Sequence, residues 1–220
     1  MGNGSGFGFG QKADAHVIKG EHNKTMNPNK NGFGIGGIFH VTCLDKDGNI
    51  KWETTAKNGV TNVGLDSTLD VYFNATDTVG GVGTAGWGWA LGLINNSPAP
   101  TLAAADTHAS HSGWAEFTGY TFSADATIRP EWSPGAASSQ SLVNGTLIDY
   151  DITSAATVYG LFIVGGNISG GTPGATDADN KGSTNATPLL WATAAFTGGT
   201  QSVTGGDILR VTYTVNAASA

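Results

Sequence analysis

The sequence predicts an all-β fold: an antiparallel two-sheet sandwich, jelly-roll-like, with one or two short helices and an extended N-terminal arm. Short segments in which apolar and polar residues alternate recur along most of the chain, and Gly, Pro and Asn separate them. Glycine makes up 34 of the 220 residues, and only 12% of the residues are charged. Globular domains carry about 25% charged residues, so Thr, Ser, Asn, backbone or other protein must cover much of this surface.

The first 34 residues differ from the rest, and we interpret residues 1–34 as an extended Gly-rich arm and residues 35–220 as the β-sandwich domain. A Gly-Phe stretch opens the arm, and the polar segment after it contains too little apolar surface to fold alone. We expect the arm to become ordered against a neighbouring subunit, with Phe7, Phe9 and Phe33 as interface anchors. A tail without a role is the alternative.

After the arm, the alternation predicts a β-hairpin. Residues 38–43 and 49–55 flank Asp45-Lys46-Asp47-Gly48, a sequence typical of a hairpin turn. A second turn is predicted at Asn58-Gly59.

Two short helices are considered. Apolar residues at helical spacing predict one over residues 63–73. The other is predicted over residues 106–113, because Asp106 is an acceptable N-cap.

The rest of the chain is predicted to be β-structure. The predicted strands cover residues 87–94, 115–122, 127–132, 146–153, 158–164, 189–196 and 208–215. Residues 158–164 are apolar on both faces, which indicates a central strand covered on both sides. Residues 165–187 are long and polar, so we expect an exposed loop that is a candidate for contacts.

Charge and cysteine content exclude several function classes. A net charge of −7 would repel phosphate backbones and anionic lipid surfaces, so neither nucleic acid nor membrane is expected as a partner. The single Cys43 excludes an intramolecular disulfide, and its β-like surroundings suggest a small buried hydrophobe.

No metal ion or cofactor is predicted. His108 and His111 would be neighbours on a helix, but the sequence offers no obvious further ligand beyond Asp106. Asp177 and Asp179 lie in a stretch similar to a calcium loop, but the closing glutamate is missing.

No catalytic residue is predicted, and we expect the protein not to be an enzyme. Three glutamates sit beside tryptophans, an arrangement that could raise a carboxyl pKa, as in glycosidases; they are Glu53, Glu116 and Glu131. A Trp beside a Glu in a strand more simply means that one side chain points inward and the other outward. The six tryptophans are therefore interpreted as core and interface anchors, with a carbohydrate-binding platform as the alternative.

Several segments together resemble a family of tailed-bacteriophage virion proteins, the capsid decoration or structural proteins encoded beside head genes. The matching segments are residues 58–73, 89–94, 106–120, 129–130, 158–162, 189–196 and 203–213. The resemblance covers residues 50–216 and leaves out the arm.

The resemblance implies a cement protein that is made in the bacterial cytoplasm, sits on the outer surface of the capsid and bridges subunits of the major capsid protein. It also implies a homo-oligomer, dimeric or trimeric, without catalysis. A tail, baseplate or fibre-associated structural protein is the first alternative, and a glycan-binding attachment module is the second. All three share the sandwich, so fold alone does not choose among them.

Overall fold

The computed structural model describes residues 33–69, 87–136, 138–169 and 172–219, which form twelve strands and one helix. The elements are β1 Phe33–Leu44, β2 Ile50–Val60, α1 Asn62–Leu69, β3 Trp87–Asn95, β4 Glu116–Phe117, β5 Tyr120–Thr121, β6 Glu131–Trp132, β7 Ser141–Val143, β8 Ile148–Ile152, β9 Ala156–Asn167, β10 Leu189–Phe196, β11 Gln201–Val203 and β12 Ile208–Ser219.

The strands form one antiparallel sheet that is nearly closed, and the predicted all-β sandwich class is confirmed. Its main order is β4-β3-β9-β10-β2-β1-β12-β8-β5, and β6, β7 and β11 pair beside this path with β3, β12 and β9. The two ends of the sheet meet across the core, where Tyr150 Oη of β8 donates to the carbonyl of Leu91 in β3 at 3.0 Å. The predicted β1–β2 hairpin is also present, and Gly48 supplies the positive φ of +85° that its turn requires.

The central strand β9 divides its apolar side chains between two cores. Leu161 and Ile163 point into the main core inside the sheet. Phe162 and Val164 point to the opposite face, where a smaller core contains Trp114. This confirms the prediction of a strand covered on both sides, and it means that loops must cover the outer face of β9.

Helix α1 begins at Asn62 because Thr61 caps it. The Thr61 hydroxyl accepts from the amide of Gly64 at 3.1 Å and donates to the carbonyl of Leu190 at 2.6 Å. The predicted helix over residues 63–73 is therefore found in its first part, and residues 70–73 lie outside the described residues.

Two local predictions are wrong. Residues 106–113 form turns instead of a helix, because the Asp106 carboxylate accepts from the amide of Ala103 and from the indole of Trp114, which lies in the small core. Asn58-Gly59 is not a turn, because β2 continues through it and both residues pair with β10.

Within the described ranges, no helix is long and apolar enough to cross a membrane.

Candidate functional site

The loops over the outer face of β9 are tied together by one buried arginine. Arg129 is only 2% exposed. Its Nε and Nη2 donate to the two carboxylate oxygens of Glu116 at 2.9 and 2.8 Å, and its Nη1 donates to the carbonyl of Ala178 at 2.7 Å. The guanidinium carbon lies 5.2 Å from the ring centre of Phe162. The ion pair therefore sits directly on the small core.

The two remaining guanidinium hydrogens also have partners. Nη2 reaches the carbonyl of Ser183 at 3.3 Å, and Nη1 reaches Nε2 of His108 at 3.4 Å. Burial lowers the pKa of Arg129, but the adjacent Glu116 carboxylate outweighs burial and holds that pKa above its ordinary value. All five N–H groups are used within the protein, so this guanidinium offers no free donor to an incoming anion.

His108 is a neutral part of the same network. The carbonyl of Asn185 can only accept, so Nδ1 of His108 carries the proton and donates to it at 2.6 Å. Nε2 is then the acceptor that faces Arg129. Burial, together with the positive charge of Arg129, lowers the pKa of His108 to about 4, although its bond to Asn185 acts in the opposite direction. At neutral pH, this imidazole adds no charge.

Above this network lies a cleft of about 520 Å³. His111 stacks on Trp114 at its rim, with 4.1 Å between ring centres. Trp114 is held in turn by Asp106, which accepts from the indole N–H at 3.0 Å. The polar floor of the cleft is paired internally, so its geometry indicates a role in holding loops in place.

The prediction that residues 165–187 form an exposed loop is wrong at the start and at the centre of this segment. Its first three residues belong to β9. At its centre, Asp177, Ala178 and Asp179 are buried. Ala178 packs into the small core, and its carbonyl accepts from Arg129. The physical reason is that the apolar outer face of β9 requires a cover, and this segment supplies it.

The aspartates of the calcium-like motif in that loop accept hydrogen bonds from other residues of the protein. The two carboxylate oxygens of Asp177 accept from the side-chain amide of Asn167 and from the amide of Gly174, both at 2.7 Å. Ser169 donates to Oδ2 of Asp179, while Oδ1 is buried and has no hydrogen-bond partner among the described residues. In the part of the chain that the structure describes, no three His, Cys, Asp or Glu side chains are grouped to hold a metal ion.

The two histidines considered as metal ligands do not converge. Their ring centres are 6.5 Å apart, and Nδ1 of His111 is engaged by the carbonyl of Thr107 at 3.0 Å. The helix that would have placed them on one face is absent.

The three glutamates considered for glycosidase chemistry lie in different environments. Glu53 and Glu131 are exposed, whereas Glu116 is fixed in the ion pair with Arg129. Among the described indoles, Trp114, Trp132 and Trp191 are buried and Trp52 and Trp89 are half-buried. The side chain of Trp87 lies outside what the structure describes. The described indoles therefore form no exposed platform for a sugar.

Of the three predicted interface anchors, Phe7 and Phe9 lie outside the described residues. Phe33 begins β1, and its backbone pairs with Ser219 near the end of β12. The β1–β12 ladder runs without interruption from this pair to Leu44 and Ile208. The predicted arm thus enters the domain beside the last described residues of the chain.

Arg129 is the residue that sequence reasoning missed at this site. It is one of only two arginines in the chain and stands between Ile128 and Pro130 in a strand-like stretch. A charged residue in such a stretch is a signal for a buried ion pair. The sequence does not show that Glu116, 13 residues earlier, is the partner.

No protein-family model matches the chain, and comparisons with curated proteins and with solved structures also find no match.

Proposed function

We propose that this protein is a non-enzymatic structural protein of a tailed-phage virion: a capsid decoration, or cement, protein. It binds the outer surface of the head as a homo-oligomer, bridges subunits of the major capsid protein and stabilises the shell. The N-terminal arm reaches a neighbour while the β-domain provides a rigid body.

The observation that carries this proposal is the position at which the arm enters the fold. Residues 1–32 precede Phe33, which sits at the end of the long β1–β12 ladder opposite Ser219. Of the described strands, only β12 pairs with the first five residues of β1. Pairing of β1 with β2 begins at Ile38. A chain that leaves from the end of such a ribbon can reach a neighbouring subunit without disturbing the core.

The buried ion pair supports the same proposal. Bridging an assembly is most effective when the bridging surface is preformed, because little conformational entropy is then lost on binding. Arg129, Glu116 and His108 fix the loops over β9 in one arrangement through bonds that involve both backbone and side chains. A low charged fraction of 12% also suits a surface that is to be covered by other protein.

Quantitative gel densitometry of purified particles tests the proposal. Particles are analysed before and after heads are separated from tails, and the 22.4 kDa chain is compared with the major capsid protein. A near-stoichiometric amount that stays with heads is expected. A minor band that leaves with tails would favour the tail or baseplate alternative, and absence from particles would reject both.

A truncation then tests the arm. Removal of residues 1–32 leaves β1 intact, because this strand begins at Phe33. We expect the truncated protein to remain folded and to lose binding to undecorated heads. Removal of residues 1–5, which contain no Phe, is the matched control and should leave binding unchanged. Equal binding of both truncated proteins would reject the role of the arm.

A further inference from the structure

In the part of the chain that the structure describes, no strand pairs with one edge of the first part of β1, and we call this edge the open edge. Residues 33–37 pair with β12 on one side, whereas on the other side the described part of β2 joins β1 only from Ile38 onward. Asn58 marks the point at which the edge opens, because its Oδ1 accepts from the amide of Gly37. Beyond that contact, no described strand continues the sheet.

The backbone groups of Ile35 face this open side. In antiparallel sheets, successive residues direct their N–H and C=O groups to opposite edges of the strand. The amide of Gly37 points toward Asn58, so the amide and carbonyl of Ile35, two residues earlier, point the same way. No described residue bonds to them. An unpaired row of this kind is the template on which an extended peptide adds as a further strand.

Residues 33–37 and their described neighbours lack the usual protection against such pairing. Gly34 and Gly36 point outward, and no atom of the described residues lies within 4 Å of the position that a Cβ would take on either residue. Their partners on β12 are the uncharged Ala218 and Asn216. Exposed edges are commonly blocked by lysine, proline or a bulge. Residues 33–37 contain neither lysine nor proline, and their ladder with β12 is regular.

One segment of this chain fits the edge. Residues 6–10 read Gly-Phe-Gly-Phe-Gly, an alternation with the period of a strand that places both phenylalanines on one face and only glycine on the other. Residues 1–10 carry no charged side chain, and neither do residues 33–39 of β1. The segment between them contains several lysines. The 22 residues between Gly10 and Phe33 can span roughly 70 Å when extended. The edge of the same copy and that of a neighbour are therefore both within reach.

We infer that residues 6–10 add as a strand to the open edge of β1 at residues 33–37. Phe7 and Phe9 then lie on the face that Ile35 shares with the core, and Gly8 lies on the outward face beside Gly34 and Gly36. This inference deepens the proposed function and rests on it, because the same strand addition made between copies would link decoration proteins into a continuous layer.

Disulfide trapping in the full-length protein tests the inference. Gly8→Cys is combined with Gly36→Cys, and in a second protein with Gly34→Cys, so that either register is sampled. Gly8→Cys with His40→Cys is the control, because His40 is an exposed outward residue of β1 whose two neighbours, β2 and β12, are already paired. Cys43 is replaced by Ala in all three proteins.

If the segment docks, one of the test pairs forms a disulfide at least about tenfold faster than the control, because docking raises the local concentration of the two thiols. A cross-link within a monomer shows that residues 6–10 dock on the edge of their own copy. A covalent dimer or ladder shows that they dock on the edge of a neighbour. Either result supports docking. Equal rates for all three proteins at low and at high protein concentration would overturn the inference.

Amide hydrogen exchange gives a second measurement on the unmodified chain. We expect the Ile35 amide to exchange at least about 100-fold more slowly than an unprotected amide and to lose this protection in the Phe7→Ala/Phe9→Ala protein. An unprotected Ile35 amide in both proteins would overturn the inference. Both experiments are made without particles, so failure of docking is distinguishable from failure to bind heads.

Discussion

Arg129 and Glu116 form a two-pronged ion pair in the interior, with Arg129 Nε and Nη2 at 2.9 and 2.8 Å from the two carboxylate oxygens. The two side chains are 1% and 7% exposed. Glu116 Oε2 also accepts from the amide of Gly182 at 2.6 Å, so the pair holds a strand and a loop at the same time. The cover over β9 depends on this contact.

Glu116→Gln should strongly destabilise the protein. The substitution keeps the shape of the side chain but leaves the buried guanidinium of Arg129 without a counter-charge, which costs about 3–5 kcal/mol. Urea denaturation followed by tryptophan fluorescence measures the change in the free energy of unfolding.

Asp149→Asn is the matched control for this prediction. Asp149 binds Arg210 in the same two-pronged geometry, at 2.8 and 2.7 Å, but these side chains are 33% and 40% exposed. Loss of an exposed pair costs less than about 1 kcal/mol. Similar losses in the two proteins would contradict the assigned importance of burial.

Stability should decrease between pH 6.5 and about 4 because of His108. Burial lowers the pKa of His108 to about 4 in the folded protein, while the unfolded chain titrates near 6.5. As pH falls through this window, the unfolded state binds a proton that the folded state does not, and the free energy of unfolding falls. The full effect amounts to about 3 kcal/mol and disappears above pH 6.5.

His108→Asn isolates this effect. Asn can still donate to the carbonyl of Asn185 but does not titrate. The stability of the His108→Asn protein should therefore change less over the same pH range. The difference between the two proteins removes the contributions of all groups that both proteins retain. Urea midpoints at several pH values provide the comparison, and parallel curves would contradict the assignment.

Much of the fold was predictable because strand periodicity is a local property. Strand β10 matches the predicted residues 189–196, and β8 lies within the predicted 146–153. Strands β7 and β11 were not predicted, because each contains only three residues, too few to show a periodic pattern. They are strands because β12 and β9 offer them hydrogen-bonding edges.

The candidate site was less predictable, because its contacts join distant parts of the chain. The local sequence predicts that Asp106 caps a helix, but the indole of Trp114, eight residues later, donates to its carboxylate instead. The polarity of residues 165–187 predicts an exposed loop, but the need to cover Phe162 overrides that pattern at Ala178, which is buried in the small core. The roles of Phe7 and Phe9 stay predictions.

Cys43 should be unreactive in the folded protein. It is fully buried, and burial, assisted by the nearby Asp207 carboxylate, raises its pKa to about 11. At pH 8 only about one thiol in a thousand would be ionised, and the thiolate is the reactive form. Ellman's reagent should react promptly after denaturation but not before it. Ile50→Cys, at a position that is 61% exposed, provides a reactive control thiol, and equal labelling of both thiols in the native state would refute the prediction.

Gly92→Ala should disrupt the small core, whereas Gly36→Ala should not. A Cβ at Gly92 would overlap the ring of Phe162, which packs between Trp114 and the guanidinium of Arg129. Moving that ring strains both contacts, so we expect a loss of about 1–3 kcal/mol. No described atom lies within 4 Å of the same position at Gly36, so its substitution should change stability by no more than about 0.5 kcal/mol. Thermal unfolding of both proteins measures the contrast. A stable Gly92→Ala protein would mean that the ring of Phe162 can move without loss, and the ion pair above it would then not depend on the packing beneath.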